Sequence, residues 1–324
     1  MADSHTENPV TRVSVVVCTY NGARFLRPQL DSLLSQSLPP CEIIVSDDGS
    51  IDGTADIVRE YAARDARVKL HVNRPALGFN QNFSQAFQLA GGDVVASCDQ
   101  DDVWHPDKLA HMVAALECKP LAFHNSALFT DDPSRPMGLK NPHAPVTNEL
   151  FLLLKPYVPG HECVFRRGLL RPYGGVVASE PHISYDTLLC LTAATHGGVA
   201  YVDEALVSWR RHSAATSYGS GRAAGSPWRG FLSALRALRS AGRMDDVTRR
   251  YFRAVSQLPF RLSASRRVVR LMSRGSVWGT VQAGWVCARN YRLLFPTGPA
   301  WRRRVTAFFT PFYFVRDSSS FVIK

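Results

Sequence analysis

From residue 13 to residue 129, short β-branched runs alternate with amphipathic stretches, and this alternation narrows the fold more than any other feature of the chain. The runs Val13–Thr19, Glu42–Asp47, Val68–Val72, Val94–Cys98 and Leu121–Phe129 have the length and composition of buried strands. Between them Leu26, Leu30, Leu33 and Leu34 fall on one helical stripe, Phe79, Phe83, Phe87 and Ala90 on a second, and Leu109, Met112, Val113 and Leu116 on a third. Strand and helix in alternation give an α/β fold, a Rossmann-like, mostly parallel sheet flanked by helices. With 324 residues, 45% of them apolar, the chain is long enough for one large core, or for a domain of roughly 200 to 250 residues and an appendage.

Seven cysteines, an odd number without a Cys-x-x-Cys pair, give neither a disulfide framework nor a zinc site, and a reducing, cytosolic setting is expected. Residues 1–12 form a polar tail without the charged-then-apolar order of a secretory leader. The longest apolar stretches, 277–288 and 305–315, fall short of the roughly 18 to 20 residues that span a bilayer.

Charge divides the chain in two. Residues 219–324 carry 20 Lys and Arg against 3 Asp and Glu, a net +17, whereas residues 1–218 carry 18 against 24, a net −6. Residues 130–201 are less regular, as expected of an insertion that shapes a substrate pocket, and the Ser-, Gly- and Ala-rich residues 213–227 are expected to be a linker. Beyond it, residues 228–274 have a helical pattern edged with arginine. Such a basic segment, with Trp228, Trp278, Trp285 and Trp301, has three readings: a peripheral anchor on an anionic membrane, a nonspecific nucleic-acid surface, or a solvated cover on the preceding domain. Nucleic-acid binding is not expected, because the strand-end crevice is acidic.

In open sheets of this class, ligands sit beyond the carboxyl ends of the strands. The first strand runs into Thr19-Tyr20-Asn21-Gly22 and the second into Asp47-Asp48-Gly49-Ser50. Carboxylates repel phosphate, so Asp47 and Asp48 suit acceptance from ribose hydroxyls or a pyrimidine N–H; turn and cap chemistry explains the same residue types. The fourth strand ends in Asp99-Gln100-Asp101-Asp102, ahead of Val103-Trp104-His105-Pro106. Three carboxylates in four residues repel one another unless a cation neutralises them. A Mg²⁺ or Mn²⁺ ion joining one or two of them to a diphosphate meets that need and supplies Lewis-acid catalysis; a solvated acidic loop is the plainer reading.

Together, Thr19-Tyr20-Asn21, Asp47-Asp48-Gly49-Ser50, Asn73-Arg74-Pro75 with Gly78 and Asn82, and Asp99-Gln100-Asp101-Asp102-Val103-Trp104 resemble the family-2 glycosyltransferases of the GT-A fold, notably their bacterial rhamnosyltransferase-like branch. The resemblance extends over about residues 12–212 and implies a GT-A domain over 13–218, with a nucleotide-binding half (13–129), an acceptor and catalytic half (130–218), and a basic helical region (219–324) outside it. It implies nucleotide-sugar binding by Thr19, Tyr20, Asn21, Asp47, Asp48, Asn73, Arg74, Asp99, Gln100 and Trp104, with Asp48 facing the base. The family's Asp-x-Asp element maps onto Asp99 and Asp101, with Asp101 the direct ligand of the divalent metal.

Downstream, Gly160-His161-Glu162-Cys163-Val164-Phe165 resembles the family's segment below the donor sugar, and Ile183-Ser184-Tyr185-Asp186 the segment that bears the base. Asp186 is therefore the candidate catalytic base, a role compatible with capping the helix that follows. Glu162 stands in reserve, at a position usually small or polar. Trp209-Arg210-Arg211-His212 resembles the family's Tyr-Arg-x-His element and offers His212 to the metal or the diphosphate; an ordinary surface histidine fits as well. The expectation is an inverting, metal-dependent transferase that moves a sugar, L-rhamnose from dTDP-rhamnose or a hexose from a UDP donor. The acceptor would be a cell-surface polysaccharide or lipid-linked glycan, met at the inner face of the cytoplasmic membrane. The alternative is a noncatalytic nucleotide-sugar or glycan-binding protein on the same fold.

Overall fold

The computed structural model describes residues 11–117, 119–211, 236 and 246–322. The expected linker over 213–227, His212 and Trp228 lie outside the described residues. Among the described residues, nine strands form one sheet: β1 Val13–Thr19, β2 Glu42–Asp47, β3 Val68–Val72, β4 Val94–Cys98, β5 Val103–Trp104, β6 Leu121–Phe129, β7 Gly138–Leu139, β8 Cys163–Arg166 and β9 Val199–Arg210. Their order is β3-β2-β1-β4-β8-β6-β9-β5, with β7 paired to β6. β1 to β4 run parallel. β8 enters antiparallel between β4 and β6, and β9 lies parallel to β6 and antiparallel to β5.

Twelve helices accompany the sheet among the described residues: α1 Ala23–Leu34, α2 Thr54–Arg64, α3 Phe79–Ala86, α4 Lys108–Leu116, α5 Glu149–Leu154, α6 Leu170–Ser179, α7 Tyr185–His196, α8 Asp246–Val255, α9 Ser263–Met272, α10 Val277–Arg289, α11 Tyr291–Leu294 and α12 Ala300–Phe321. Alternate strand side chains go to opposite faces, and here both faces are covered. Val13, Val15 and Val17 of β1 pack with Leu26 and Leu30 of α1 and with Val58 and Leu109. Val16 and Cys18 join the opposite core with Phe83, Leu153, Phe165 and Leu188. That two-sided burial explains why the central strands are mainly apolar and lack the alternation of a half-exposed strand.

The irregular middle of the sequence contains α5, α6 and α7. α7 is buried on every side from Thr187 through Thr195, so it shows no amphipathic period. The C-terminal helices share the core of the sheet domain: Tyr251, Phe252, Val268, Met272 and Phe314 are continuous with Leu153, Phe165 and Leu188. Two carboxylates fasten this cover. Glu180 receives Nε and Nη2 of Arg250, each at 2.7 Å. Glu149 accepts the backbone N–H groups of Arg261 at 2.9 Å and Leu262 at 3.0 Å, next to the start of α9. Among the described residues, no helix is long and apolar enough to cross a membrane.

Candidate active site

The parallel registers place Thr19 beside Asp47, Asp47 beside Val72 and Val17 beside Cys98. The segments that leave β1, β2, β3 and β4 therefore meet along one edge of the sheet, which is the position of ligand crevices in such folds.

Much of the polar equipment there holds the loops themselves. Asp47 accepts from Thr19 Oγ1 at 2.8 Å, Ser50 Oγ at 2.5 Å and the Ser50 N–H at 2.9 Å. Asp48 accepts from Asn73 Nδ2 at 3.0 Å and from the backbone N–H groups of Leu77 and Gly78 at 2.8 Å. It thus fixes the turn that leads into α3, while Arg74 beside it is exposed. Asn21, in the left-handed region with φ 48°, accepts the Ile51 N–H at 3.0 Å. Gln100 Oε1 accepts the Tyr20 N–H at 2.9 Å and its Nε2 donates to the Tyr20 carbonyl at 3.2 Å. A Cβ at Gly22 would stand 2.2 Å from Gln100 Oε1, so only glycine admits this staple. The Tyr20 ring is left 59% exposed on the edge.

The acidic loop after β4 is arranged differently from the expected Asp99–Asp101 pair. Asp99, Asp102 and His161 each offer a ligand atom within 4.8 Å of the other two, and His161 Nδ1 lies 3.3 Å from Asp99 Oδ2. Asp101 stands outside this group; its carbonyl accepts Arg210 Nε at 2.8 Å. Asp102 is fully buried. Its Oδ1 accepts the Arg210 N–H at 2.9 Å, and its Oδ2 is buried with no hydrogen-bond partner. Burial pushes the Asp102 carboxyl up to about 8, against the opposing charge of His161. Burial works against a charged His161, yet the carboxylates of Asp102 and Asp99 outweigh it and raise the imidazole. These residues fit a divalent cation: the donor set is two carboxylates and an imidazole, and one buried carboxylate oxygen has no hydrogen-bond partner.

Lys108 lies behind this group, fully buried, with Nζ 2.7 Å from the His161 carbonyl and 3.5 Å from the centre of the Trp104 ring. Burial brings its ammonium down to about 7. Trp104 is only 3% exposed, so it stands beneath the acidic loop as support and does not line the crevice as expected. Arg210 packs its guanidinium over Phe25 and Phe129, at 4.8 and 4.4 Å. With Arg24 and Arg211 it borders a cavity of about 280 Å³ beside the acidic loop.

The turn Gly160–Glu162 joins two parts of the site. A Cβ at Gly160 would fall 1.8 Å from Tyr185 Oη, so the glycine lets that phenol in, and the next residue, His161, meets Asp99. The Tyr185 hydroxyl is raised by burial and then by the charges of Asp99 and Asp186. Asp186, half-buried in the first turn of α7, accepts from Ser184 Oγ and from the Thr187 N–H at 2.7 Å, both through Oδ1. Glu162 is fully buried and already committed, to Ser126 Oγ at 2.7 Å and Lys140 Nζ at 2.9 Å.

Residues 14–174 match the family described as Glycosyl transferase family 2. An uncharacterized protein of Mycobacterium tuberculosis is 30% identical over 214 residues, 62% of this chain and 59% of that protein, so the chain spans about three fifths of its relative's length. Of solved structures, S. aureus TarS 1–349 in complex with UDP has a TM-score of 0.55 at 14% identity, covering 95% of this chain and 91% of that one. The mannosyltransferase PcManGT from Pyrobaculum calidifontis, in complex with GDP-Man and Mn²⁺, has a TM-score of 0.52 at 17% identity, covering 95% and 86%. At these identities the likeness is one of fold alone, and the fold is GT-A. Through residues 14–174, the chain belongs to glycosyl transferase family 2.

Proposed function

We propose that the protein is an inverting, metal-dependent glycosyltransferase that transfers a sugar from a nucleoside diphosphate to a hydroxyl of a glycan. The observation that carries this reading is the buried, unpartnered Oδ2 of Asp102 beside Asp99 and His161, on the edge where the strand ends converge. Asp99, Asp102 and His161 would hold the divalent ion, and the imidazole favours Mn²⁺ over Mg²⁺. When bound, the ion supplies Lewis-acid stabilisation of the charge on the departing nucleoside diphosphate. Asp101, on the same loop, remains a proposed further ligand.

The exposed Tyr20 ring gives the base a flat partner, and Asp48, whose oxygens hold Asn73 and the Leu77 and Gly78 N–H groups, is proposed to shape the loop that faces the base. Arg24, Arg210 and Arg211 bring cationic charge to the diphosphate side of the acidic loop. Asp186 is the proposed base: Oδ2 has no hydrogen-bond partner among the described residues, whereas both oxygens of Glu162 are occupied. Direct displacement with one base and no enzyme nucleophile inverts the anomeric centre. A noncatalytic carrier needs no such carboxylate with a free oxygen near the ion-binding group.

The sugar and base we favour are L-rhamnose on dTDP, with a UDP-linked hexose as the second donor class, and the proposed acceptor is a cell-surface polysaccharide or lipid-linked glycan. TarS with UDP and PcManGT with GDP-Man and Mn²⁺ support a nucleotide-sugar donor in general. Thermal melting with dTDP-, UDP- and GDP-sugars, each with Mn²⁺ and with EDTA, tests the reading. One base class should raise the melting temperature only with the metal; no shift with any donor would reject it.

A further inference from the structure

From residue 247 to residue 316 the chain contains 14 arginines and no aspartate, glutamate or lysine. Part of that charge belongs to the cover over the catalytic domain, as Arg250 on Glu180 shows. A second part surrounds an apolar ridge that the catalytic domain does not cover. Trp278, Val281 and Trp285 lie on one stripe of α10, and Trp301, Val305, Phe308 and Phe312 on one stripe of α12. Trp285 meets Phe308 with ring centroids 5.2 Å apart, and Val281 packs against Phe312, so the helices lie antiparallel and their stripes join. Phe312 and its neighbours form an aromatic cluster separate from the two main cores.

The outer edge of this cluster faces solvent: Trp278 is 68% exposed, Trp285 60%, Trp301 66% and Val305 51%. Three tryptophans on one ridge are more apolar surface than a monomer leaves uncovered without use. Arg289 and Arg302 stand exposed along it. A cavity of about 540 Å³ opens at its side, lined by Ala264, Arg267, Gln282, Trp285, Arg289 and Asn290, which pairs an indole with two guanidinium groups.

We propose that the α10–α12 ridge docks on an anionic phospholipid surface, with the tryptophans at headgroup depth and a lipid phosphate received between Arg267 and Arg289. The occupant follows from the chemistry. Arginine without acidic neighbours attracts an anionic surface, and indole and valine side chains gain only if that surface has an apolar layer beneath its charge. Nucleic acid offers the charge without that layer. No described helix is able to cross a bilayer, so α10 and α12 would lie along the membrane plane. The proposal does not depend on the transfer reaction.

Its test is flotation of the full chain with phosphatidylglycerol-containing and pure phosphatidylcholine vesicles, at low and high salt. Two variants accompany it, Trp278→Ala/Trp285→Ala/Trp301→Ala and Arg289→Glu/Arg302→Glu, whose exposed positions leave the melting temperature as a control on folding. Wild type should float with anionic vesicles only and be released by salt, because screening shortens the reach of the charges. The charge-reversal variant should bind at least roughly 25-fold more weakly, about fivefold for each arginine removed, and the tryptophan variant should also lose binding at low salt. Equal binding to neutral vesicles, or unchanged binding by either variant, would overturn the proposal. So would tryptophan-dependent self-association or nucleic-acid binding in the absence of vesicle binding.

Discussion

His161 Nδ1 lies 3.3 Å from Asp99 Oδ2, a contact between the turn ahead of β8 and the loop after β4. If the imidazole completes an ion site, His161→Ala weakens the metal while the fold persists. The Mn²⁺ concentration for half-maximal activity should rise at least roughly tenfold, since even indirect supports of metal ligands cost 10- to 100-fold in affinity. A Mn²⁺ titration of donor-dependent activity checks it. An unchanged midpoint would leave His161 as packing. Asp101→Ala and Asp102→Asn, measured side by side, decide which of the two neighbouring carboxylates binds the ion.

Asp186 and Glu162 are separated by what each would lose. Asp186→Asn keeps the shape of the first turn of α7, so stability and donor binding should survive while the transfer rate falls by roughly 10² to 10⁴. Glu162→Gln removes the partner of the largely buried Lys140 and should instead destabilise the fold, by about 3–5 kcal/mol if the lysine stays charged. Urea unfolding together with single-turnover transfer rates for the two variants distinguishes these roles. Full transfer by Asp186→Asn would remove it as the base.

The Glu180–Arg250 pair joins the C-terminal helices to the catalytic domain, and its contribution depends on pH. The guanidinium of Arg250, against the opposing effect of burial, holds the Glu180 carboxyl below its usual 4.5. A lowered carboxyl pKa contributes stability above the unfolded value, and that stability is lost as pH falls through the folded value. Arg250 is 39% exposed in its side chain, so the pair is worth only about 1 kcal/mol. Melting curves of wild type and Glu180→Gln should differ at neutral pH and converge as the pH drops below about 4.5. A constant gap down to the acid limit would contradict the linkage.

Most of the sheet was legible in the sequence because β1, β2 and β4 are buried on both faces, while β3 at the edge alternates. Val13–Thr19, Glu42–Asp47, Val68–Val72, Val94–Cys98 and Leu121–Phe129 appear with the bounds expected of them. α7 was legible only at its start, where Asp186 suits a helix cap, since burial on all sides erases the period that would mark its length. The acidic loop was legible as a candidate ion site, but its geometry was not. Residue spacing does not say whether Asp101 or Asp102 turns inward; Asp102 Oδ1 accepts the Arg210 N–H on β9. Nor does spacing link His161 to Asp99, because β8 brings them together by inserting antiparallel beside β4. Trp104 stands next to the acids in the sequence motif, and only tertiary packing places Lys108 over its ring.

If a divalent ion held beside Asp99, Asp102 and His161 supports transfer from a nucleoside diphosphate sugar, removal of the ion stops the reaction. The most direct measurement is release of free nucleoside diphosphate from dTDP- and UDP-sugars by the purified full chain, with Mn²⁺, with EDTA, and with Mn²⁺ restored after EDTA. Release is expected from one donor class, abolished by EDTA, restored by Mn²⁺, and absent from Asp102→Asn under all three conditions. Equal release in EDTA, or full Mn²⁺-dependent release by Asp102→Asn, would contradict that expectation.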